Sequence, residues 1–280
     1  MKELIDFIKK AVIEISKELK NPDTSYSSTE NATGDKQLKL DVKSDLIITD
    51  VLSKCKEVKA LISEEKDEIL NINDKAKFIV AYDPLDGSSL LDVNFSVGSI
   101  FAIYEQEANA KNLKAAVYSI YGPRLELVFA YDKVELFRLD KDEQFALVKE
   151  LKMSQKGKIN ASGGTQRDWS KTHSDFIKSL FDEGYRLRYS GAMVSDIHQI
   201  LCKGGGIFSY PATKNAPNGK LRALFEVFPL AFIVQKAGGF TSDGFNDTLL
   251  DLTFKDLHAT TPCFFGSKYE IDKLKDAYRA

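Results

Sequence analysis

The chain has 280 residues, with 39 Lys and Arg against 41 Asp and Glu and a formal net charge of −2. That balance removes the sequence-independent attraction on which nucleic-acid binders depend, so no DNA or RNA partner is expected. Apolar residues make up 43%, enough for a well-buried core in one large domain or two. No apolar run approaches the roughly 18 residues of a membrane span.

Leu4, Ile8, Ala11, Ile15 and Leu19 recur at helical spacing, which predicts an amphipathic first helix ending at Asn21-Pro22. Asp6, Lys9, Lys10 and Glu14 interrupt its apolar face, so it is not a secretory leader. The polar stretch from Asn21 to Thr33 reads as loop, and a second helix is expected over residues 44–56. Buried strands follow at 59–63 and 77–82. A meander is then expected over 97–104, 115–120, 125–131 and 134–138, with Tyr121-Gly122-Pro123-Arg124 as a turn. Beyond about residue 157 strands alternate with helical candidates at 174–183, 193–202, 221–236 and 268–278. The expected architecture is layered α/β in two lobes, 1–157 and 158–280. Cys55, Cys202 and Cys263 are odd in number and widely spaced, and His173, His198 and His258 show no ligand spacing. Reduced thiols point to the cytoplasm, and any metal must be held by oxygen.

The richest stretch for chemistry is Phe78-Ile79-Val80-Ala81-Tyr82-Asp83-Pro84-Leu85-Asp86-Gly87-Ser88-Ser89. An apolar strand delivers two carboxylates across a turn fixed by Pro84. Asp83, Asp86 and the Leu85 carbonyl are hard oxygen donors suited to Mg²⁺ or Mn²⁺. Gly87, Ser88 and Ser89 offer hydroxyls and N–H groups to phosphate oxygens. The same residue types also make ordinary turns. Glu64-Glu65 at a strand end can serve as a metal ligand and a general base, or simply begin the charged run continued by Lys66, Asp67 and Glu68. Asp35 and Asp41 lie at the end of the polar loop, where an acid can close over a site. Lys220 and Arg222 would oppose the dipole of a helix beginning there, a conflict that a bound anion relieves. Glu226, among Leu224, Phe225, Val227 and Phe228, is either a costly buried carboxylate or an exposed position paired with Arg222. Pro229 should divide this helix and Gly238-Gly239 should end it. Arg188, Tyr189 and Tyr210 suit sugar hydroxyls and phosphates, and suit strand packing equally.

Taken together, these motifs resemble class I fructose-1,6-bisphosphatase, within the metal-dependent sugar and inositol phosphatase superfamily. The resemblance rests on Asn31-Ala32-Thr33-Gly34-Asp35 with Leu40-Asp41, Ser63-Glu64-Glu65, and Asp83 to Ser89. In the second half it rests on Arg188 to Asp196, Tyr210-Pro211-Ala212 and Pro217 to Arg222. A Trp-Asp motif usual in inositol monophosphatases is missing, since the single Trp precedes Ser170. The resemblance implies a sugar phosphatase fold and hydrolysis of the 1-phosphate of fructose 1,6-bisphosphate in gluconeogenesis. It further implies about two to three Mg²⁺ per subunit and a homotetramer. Sedoheptulose 1,7-bisphosphate, an inositol phosphate, or non-catalytic sugar-phosphate binding are the alternatives.

By the same resemblance Glu64, Asp83, the Leu85 carbonyl, Asp86 and Glu226 would hold metal, with Asp35 completing a further position. Glu65, supported by Asp41, would take a proton from water. Gly87, Ser88 and Ser89 would cradle the departing phosphate, with Lys220 and Arg222 nearer the sugar. Tyr189, Met193 and Tyr210 would line the sugar, and Arg188 would reach a neighbouring subunit's site. The chain departs from the pattern at Leu90, where an Asn is usual, and near Gly163-Gly164-Thr165, where an Asn-Glu-Gly motif is usual. Lys77 is retained from the AMP site of relatives, but Phe78 replaces a Tyr and Glu105 stands where an Arg would meet phosphate. An acid there repels AMP, so weak or absent inhibition is expected.

Overall fold

The computed structural model describes residues 1–20, 23, 25–30 and 36–279, except for the side chains of 26–30, 36 and 37. The described residues form six α-helices: α1 (Lys2–Glu18), α2 (Lys39–Leu52), α3 (Lys171–Asp182), α4 (Met193–Lys203), α5 (Phe228–Lys236) and α6 (Lys268–Arg279). An eight-stranded sheet contains β1 (Val58–Ser63), β2 (Leu70–Asn71), β3 (Phe78–Asp86), β4 (Val97–Glu105), β5 (Leu113–Tyr121), β6 (Leu125–Ala130), β7 (Val134–Leu139) and β8 (Phe145–Glu150). Its spatial order is β8-β7-β6-β5-β4-β3-β1-β2. Only β1 and β3 run parallel. The second sheet contains β9 (Ile159–Ser162), β10 (Arg186–Leu187), β11 (Ile207–Tyr210), β12 (Phe240–Ser242) and β13 (Cys263–Gly266), ordered β10-β9-β11-β13-β12.

Alternation along the strands sets the layers. Phe78, Val80, Tyr82, Phe101, Ile103 and Val117 pack with Leu4, Ile8, Ile15, Ile48 and Leu52 of α1 and α2. Their strand neighbours Ala81, Ile100, Ala102, Tyr104 and Tyr118 face the other way, onto Ile197 of α4, Leu230 and Ile233 of α5, and Ala161 and Phe208 of the second sheet. Ile207 and Phe264 turn to the outer face and pack against Ile177 of α3 and Leu274 of α6. Helices, sheet, helices, sheet and helices therefore stack in five layers, the α/β layering expected.

Several local expectations are corrected. The polar loop contains a strand at Tyr26–Glu30, paired with Lys36–Leu38. α2 begins five residues earlier than expected, with the Asp41 carboxylate accepting the Leu38 N–H at 3.0 Å as a cap. The edge strand β8 was not expected. The long helix over 221–236 does not form: Leu221–Arg222 is a strand, Ala223–Val227 a single π turn, and α5 starts only at Phe228. Pro229 sits in the first turn of α5, where its missing N–H costs nothing.

Candidate active site

Asp83 and Asp86 do not flank a turn. Both lie within β3, and the strand ladder slips between them: Asp83 pairs with Ile100, Asp86 with Gly98. Two residues of β3, Pro84 and Leu85, thus oppose the single residue Ser99. In a regular strand, positions three apart face opposite ways; this bulge brings both carboxylates to one face. Leu85 is correspondingly turned to the α1/α2 side, in the core beneath the sheet. Pro84 suits the bulge because it has no N–H to leave unpaired, and its carbonyl accepts the Ser99 hydroxyl at 2.7 Å.

Two further elements complete the acidic centre. The π turn before α5 carries Glu226, whose Oε2 accepts the Arg222 N–H at 2.6 Å. One ligand oxygen from each of Asp83, Asp86 and Glu226 lies within 4.8 Å of the others, and all three residues are buried. β1 ends beside β3, and Glu64 donates its N–H to the Tyr82 carbonyl at 3.0 Å. The Glu64 carboxylate pairs with the Arg222 guanidinium. The charged run is therefore not simply solvated, for Lys66 in turn pairs with buried Asp45. Glu65 is close enough to Asp83 for its charge to act there.

Burial raises the Asp83 pKa well above the ordinary range, reinforced by the charges of Asp86 and Glu226. Burial lifts Asp86 to about 6 against the pull of the Val194 and Met193 N–H groups. Glu226 is lifted to about 7 by burial and by Asp86, despite the Arg222 N–H. Three convergent buried carboxylates are stable together only with protons or a cation between them. With oxygen donors alone and no His or Cys in the group, the set fits a hard divalent ion.

α4 aims its N-terminus at this centre. Asp86 accepts from Val194 N–H at 2.7 Å and from Met193 N–H at 3.4 Å, at the positive end of the helix. Gly87 has a left-handed φ of +80°, and a Cβ there would fall 2.4 Å from Ala192 Cβ, so only glycine lets the chain turn there against α4. Burial raises the pKa of Asp41 to about 6, against the pull of the Leu38 N–H and of the nearby Ser88 hydroxyl. Ser89 is exposed. The same helix end binds the loop before it: Asp196, wholly buried, accepts from Ser190 N–H at 2.9 Å and from Gln199 Nε2 at 3.0 Å.

The second-half candidates split. Met193 is buried beside Asp86. Tyr189 and Tyr210 converge on Gly163, and Tyr189 feels the charge of Asp86. Lys220 is exposed yet near enough to Glu226 to act on it. The expected helix-dipole conflict at Lys220 and Arg222 vanishes because no helix starts there. Arg188 is exposed, with no ion-pair partner among the described residues. Asp35, with Asn31 to Gly34, lies outside the described residues.

Two family models match: Fructose-1-6-bisphosphatase, N-terminal domain, over residues 1–150, and Fructose-1-6-bisphosphatase, C-terminal domain, over residues 153–279. The chain belongs to the fructose-1,6-bisphosphatase family. A class 1 fructose-1,6-bisphosphatase of Campylobacter jejuni is 69% identical over 99% of both chains, and one of Campylobacter hominis is 60% identical over 99% of this chain and 100% of its own. Among solved structures, Leishmania major fructose-1,6-bisphosphatase in holo form superposes with a TM-score of 0.92 at 33% identity, covering 99% of this chain and 93% of that one. A Toxoplasma gondii protein provisionally described as a sedoheptulose-1,7 bisphosphatase gives a TM-score of 0.91 at 27% identity, over 99% and 93% of the two chains.

Sequence reasoning missed one residue of this fructose-1,6-bisphosphatase-family site altogether. Gly98 faces Asp86 across the ladder, and a Cβ on it would lie 2.4 Å from Val194 Cγ1 and 2.3 Å from the Ser119 carbonyl. A glycine inside an otherwise apolar strand was the available signal, since such a glycine marks close approach of another element.

Proposed function

We propose that the chain is a metal-dependent phosphatase that removes the 1-phosphate of fructose 1,6-bisphosphate, giving fructose 6-phosphate and phosphate. The reading is carried by the convergence of Asp83, Asp86 and Glu226 at the bulge of β3, in a chain whose class 1 relatives bear that name. These three acids, with Glu64 and the Leu85 carbonyl, would hold Mg²⁺ or Mn²⁺, about two to three ions per subunit, with Asp35 adding a further ligand. When bound, such ions activate water and offset the charge of the phosphoryl oxygens and leaving alkoxide.

The chain's own groups do the rest. Glu65 takes the proton of the attacking water. Gly87, Ser88 and Ser89 receive the phosphate oxygens, and Asp41 supports Glu65 in taking the proton. Lys220 and Arg222 offset substrate charge. Tyr189, Met193 and Tyr210 line the sugar and its second phosphate, and Arg188 reaches into the site of a neighbouring subunit in a homotetramer. Three free cysteines among the described residues support a cytoplasmic setting, and gluconeogenesis is the role that the family resemblance implies. The separate sheets support division into lobes 1–157 and 158–280.

Phosphate release with and without Mg²⁺ tests this on fructose 1,6-bisphosphate, sedoheptulose 1,7-bisphosphate, inositol monophosphate and a nucleotide bisphosphate. Mg²⁺-dependent preference for the first is expected. Comparable rates on both sugar bisphosphates would favour the second reading, a dual-substrate enzyme, to which the Toxoplasma likeness points. Sugar-phosphate binding with no release under any divalent ion would leave a non-catalytic binder.

A further inference from the structure

Resting on the reading that Tyr189 and Tyr210 line the sugar, we propose that Gly163 is the positioning residue of that pocket: its missing side chain is the space in which the two phenols meet. A Cβ on Gly163 would lie 2.6 and 2.7 Å from Tyr210 Cδ2 and Cε2, and 2.8 Å from the Tyr189 hydroxyl. These contacts involve two residues from separate parts of the chain, so one missing methyl group sets both side chains at once.

The floor cannot retreat to accommodate a side chain. Gly163 N–H donates to the Ser209 carbonyl at 2.9 Å, extending the β9–β11 pairing by one residue. Its carbonyl accepts the Trp169 indole N–H at 3.1 Å, and the indole stacks edge-on against buried His173 at 4.7 Å between ring centroids. Gly163, unlike neighbouring Gly164 with its φ of +81°, does not adopt a left-handed backbone. Alanine in its place is therefore conformationally permitted, and the atoms nearest its Cβ are those of the two phenols. Tyr189 is 41% exposed and Tyr210 half-buried, so the phenols are the parts that yield. Displaced, they intrude on the sugar while the acids at β3 stay in place.

The experiment compares G163A with the unaltered protein in steady-state phosphate release from fructose 1,6-bisphosphate at saturating Mg²⁺. KM should rise by about tenfold to a hundredfold, since misplacing groups by an ångström can cost about 10²-fold. kcat and the Mg²⁺ concentration dependence should change little. In a double-mutant cycle with Y189F, the combined effect on KM should fall short of the product of the single effects, because the added methyl group acts partly through the Tyr189 hydroxyl. W169F removes the donor that pins the floor while keeping an aromatic ring, and should also raise KM; it decides the matter if G163A does not fold. Unchanged KM in G163A, fully independent effects in the cycle, unchanged KM in W169F, or a shifted Mg²⁺ dependence would each overturn the proposal. Absence of turnover by the unaltered protein would instead remove the underlying reading, and this inference with it.

Discussion

Val194 occupies the space that a side chain on Gly98 would need, and this contact lets the first turn of α4 reach Asp86. The strand residue contributes by being small: Cγ1 of Val194 would stand only 2.4 Å from a Cβ there. Substituting G98A should push α4 outward and strip Asp86 of its Val194 and Met193 donors. Stability should fall by about 1–3 kcal/mol, the usual cost of overpacking. Metal-supported turnover should fall further than stability alone explains. Urea denaturation and phosphate release under native conditions measure the two effects, and a variant with normal activity and a normal denaturation midpoint would show that the contact does not matter.

Burial and the charges of Asp86 and Glu226 together raise the Asp83 carboxyl. D83N keeps the shape and removes one negative charge. Turnover should vanish at any Mg²⁺ concentration, while the metal-free protein should melt no lower than the unaltered chain. Retention of most activity would mean that the acidic centre has been misread.

The raised carboxylates also set a pH dependence. Asp86, from 3.8 to about 6, and Glu226, from 4.5 to about 7, keep protons in the folded chain that the unfolded chain has already released. Between roughly pH 4 and 7 the folded state therefore binds more protons, so metal-free stability should fall as pH rises through that window. Mg²⁺ replaces those protons and should restore the loss. Thermal melts in chelator and in Mg²⁺ should diverge progressively above pH 5, and parallel curves across the window would contradict the assignment.

Lys77 and Glu105 face each other at 3.1 Å, so the cation that the family resemblance would assign to an AMP site is already neutralised. Lys114 approaches the same carboxylate at 3.7 Å. AMP at micromolar concentration should leave turnover unchanged. Strong inhibition at that concentration, with unaltered Mg²⁺ dependence, would show that the acid does not exclude the nucleotide.

The sequence made the layering readable because burial follows simple periods. Leu4, Ile8, Ala11 and Ile15 are all buried on one face of α1, and Val80 and Tyr82 alternate with Ala81 across β3. The acids Asp83, Asp86 and Glu226 were legible as candidates, and so was the convergence of Asp83 with Asp86, but the bulge that produces it was not. A period of two places Asp83 and Asp86 on opposite faces, and only the pairing with β4 reveals the bulge. The run Leu224-Phe225-Glu226-Val227-Phe228 looks helical, yet a π turn aims Glu226 at the centre, a conformation fixed by tertiary partners rather than propensity. Gly98 and Gly163 carry no chemistry of their own, and their importance lies in what packs against them.

The end of α4 holds two buried carboxylates that serve different halves of the site: Asp86 among the acids, and Asp196 beneath the loop that carries Tyr189. A shift of that helix end alters both grips at once. Where Tyr189 lines the sugar as proposed, occupancy of the acidic centre and occupancy of the sugar pocket would be thermodynamically linked through this one helix end. Whatever factor a bound sugar phosphate adds to cation affinity, the cation must add to sugar-phosphate affinity.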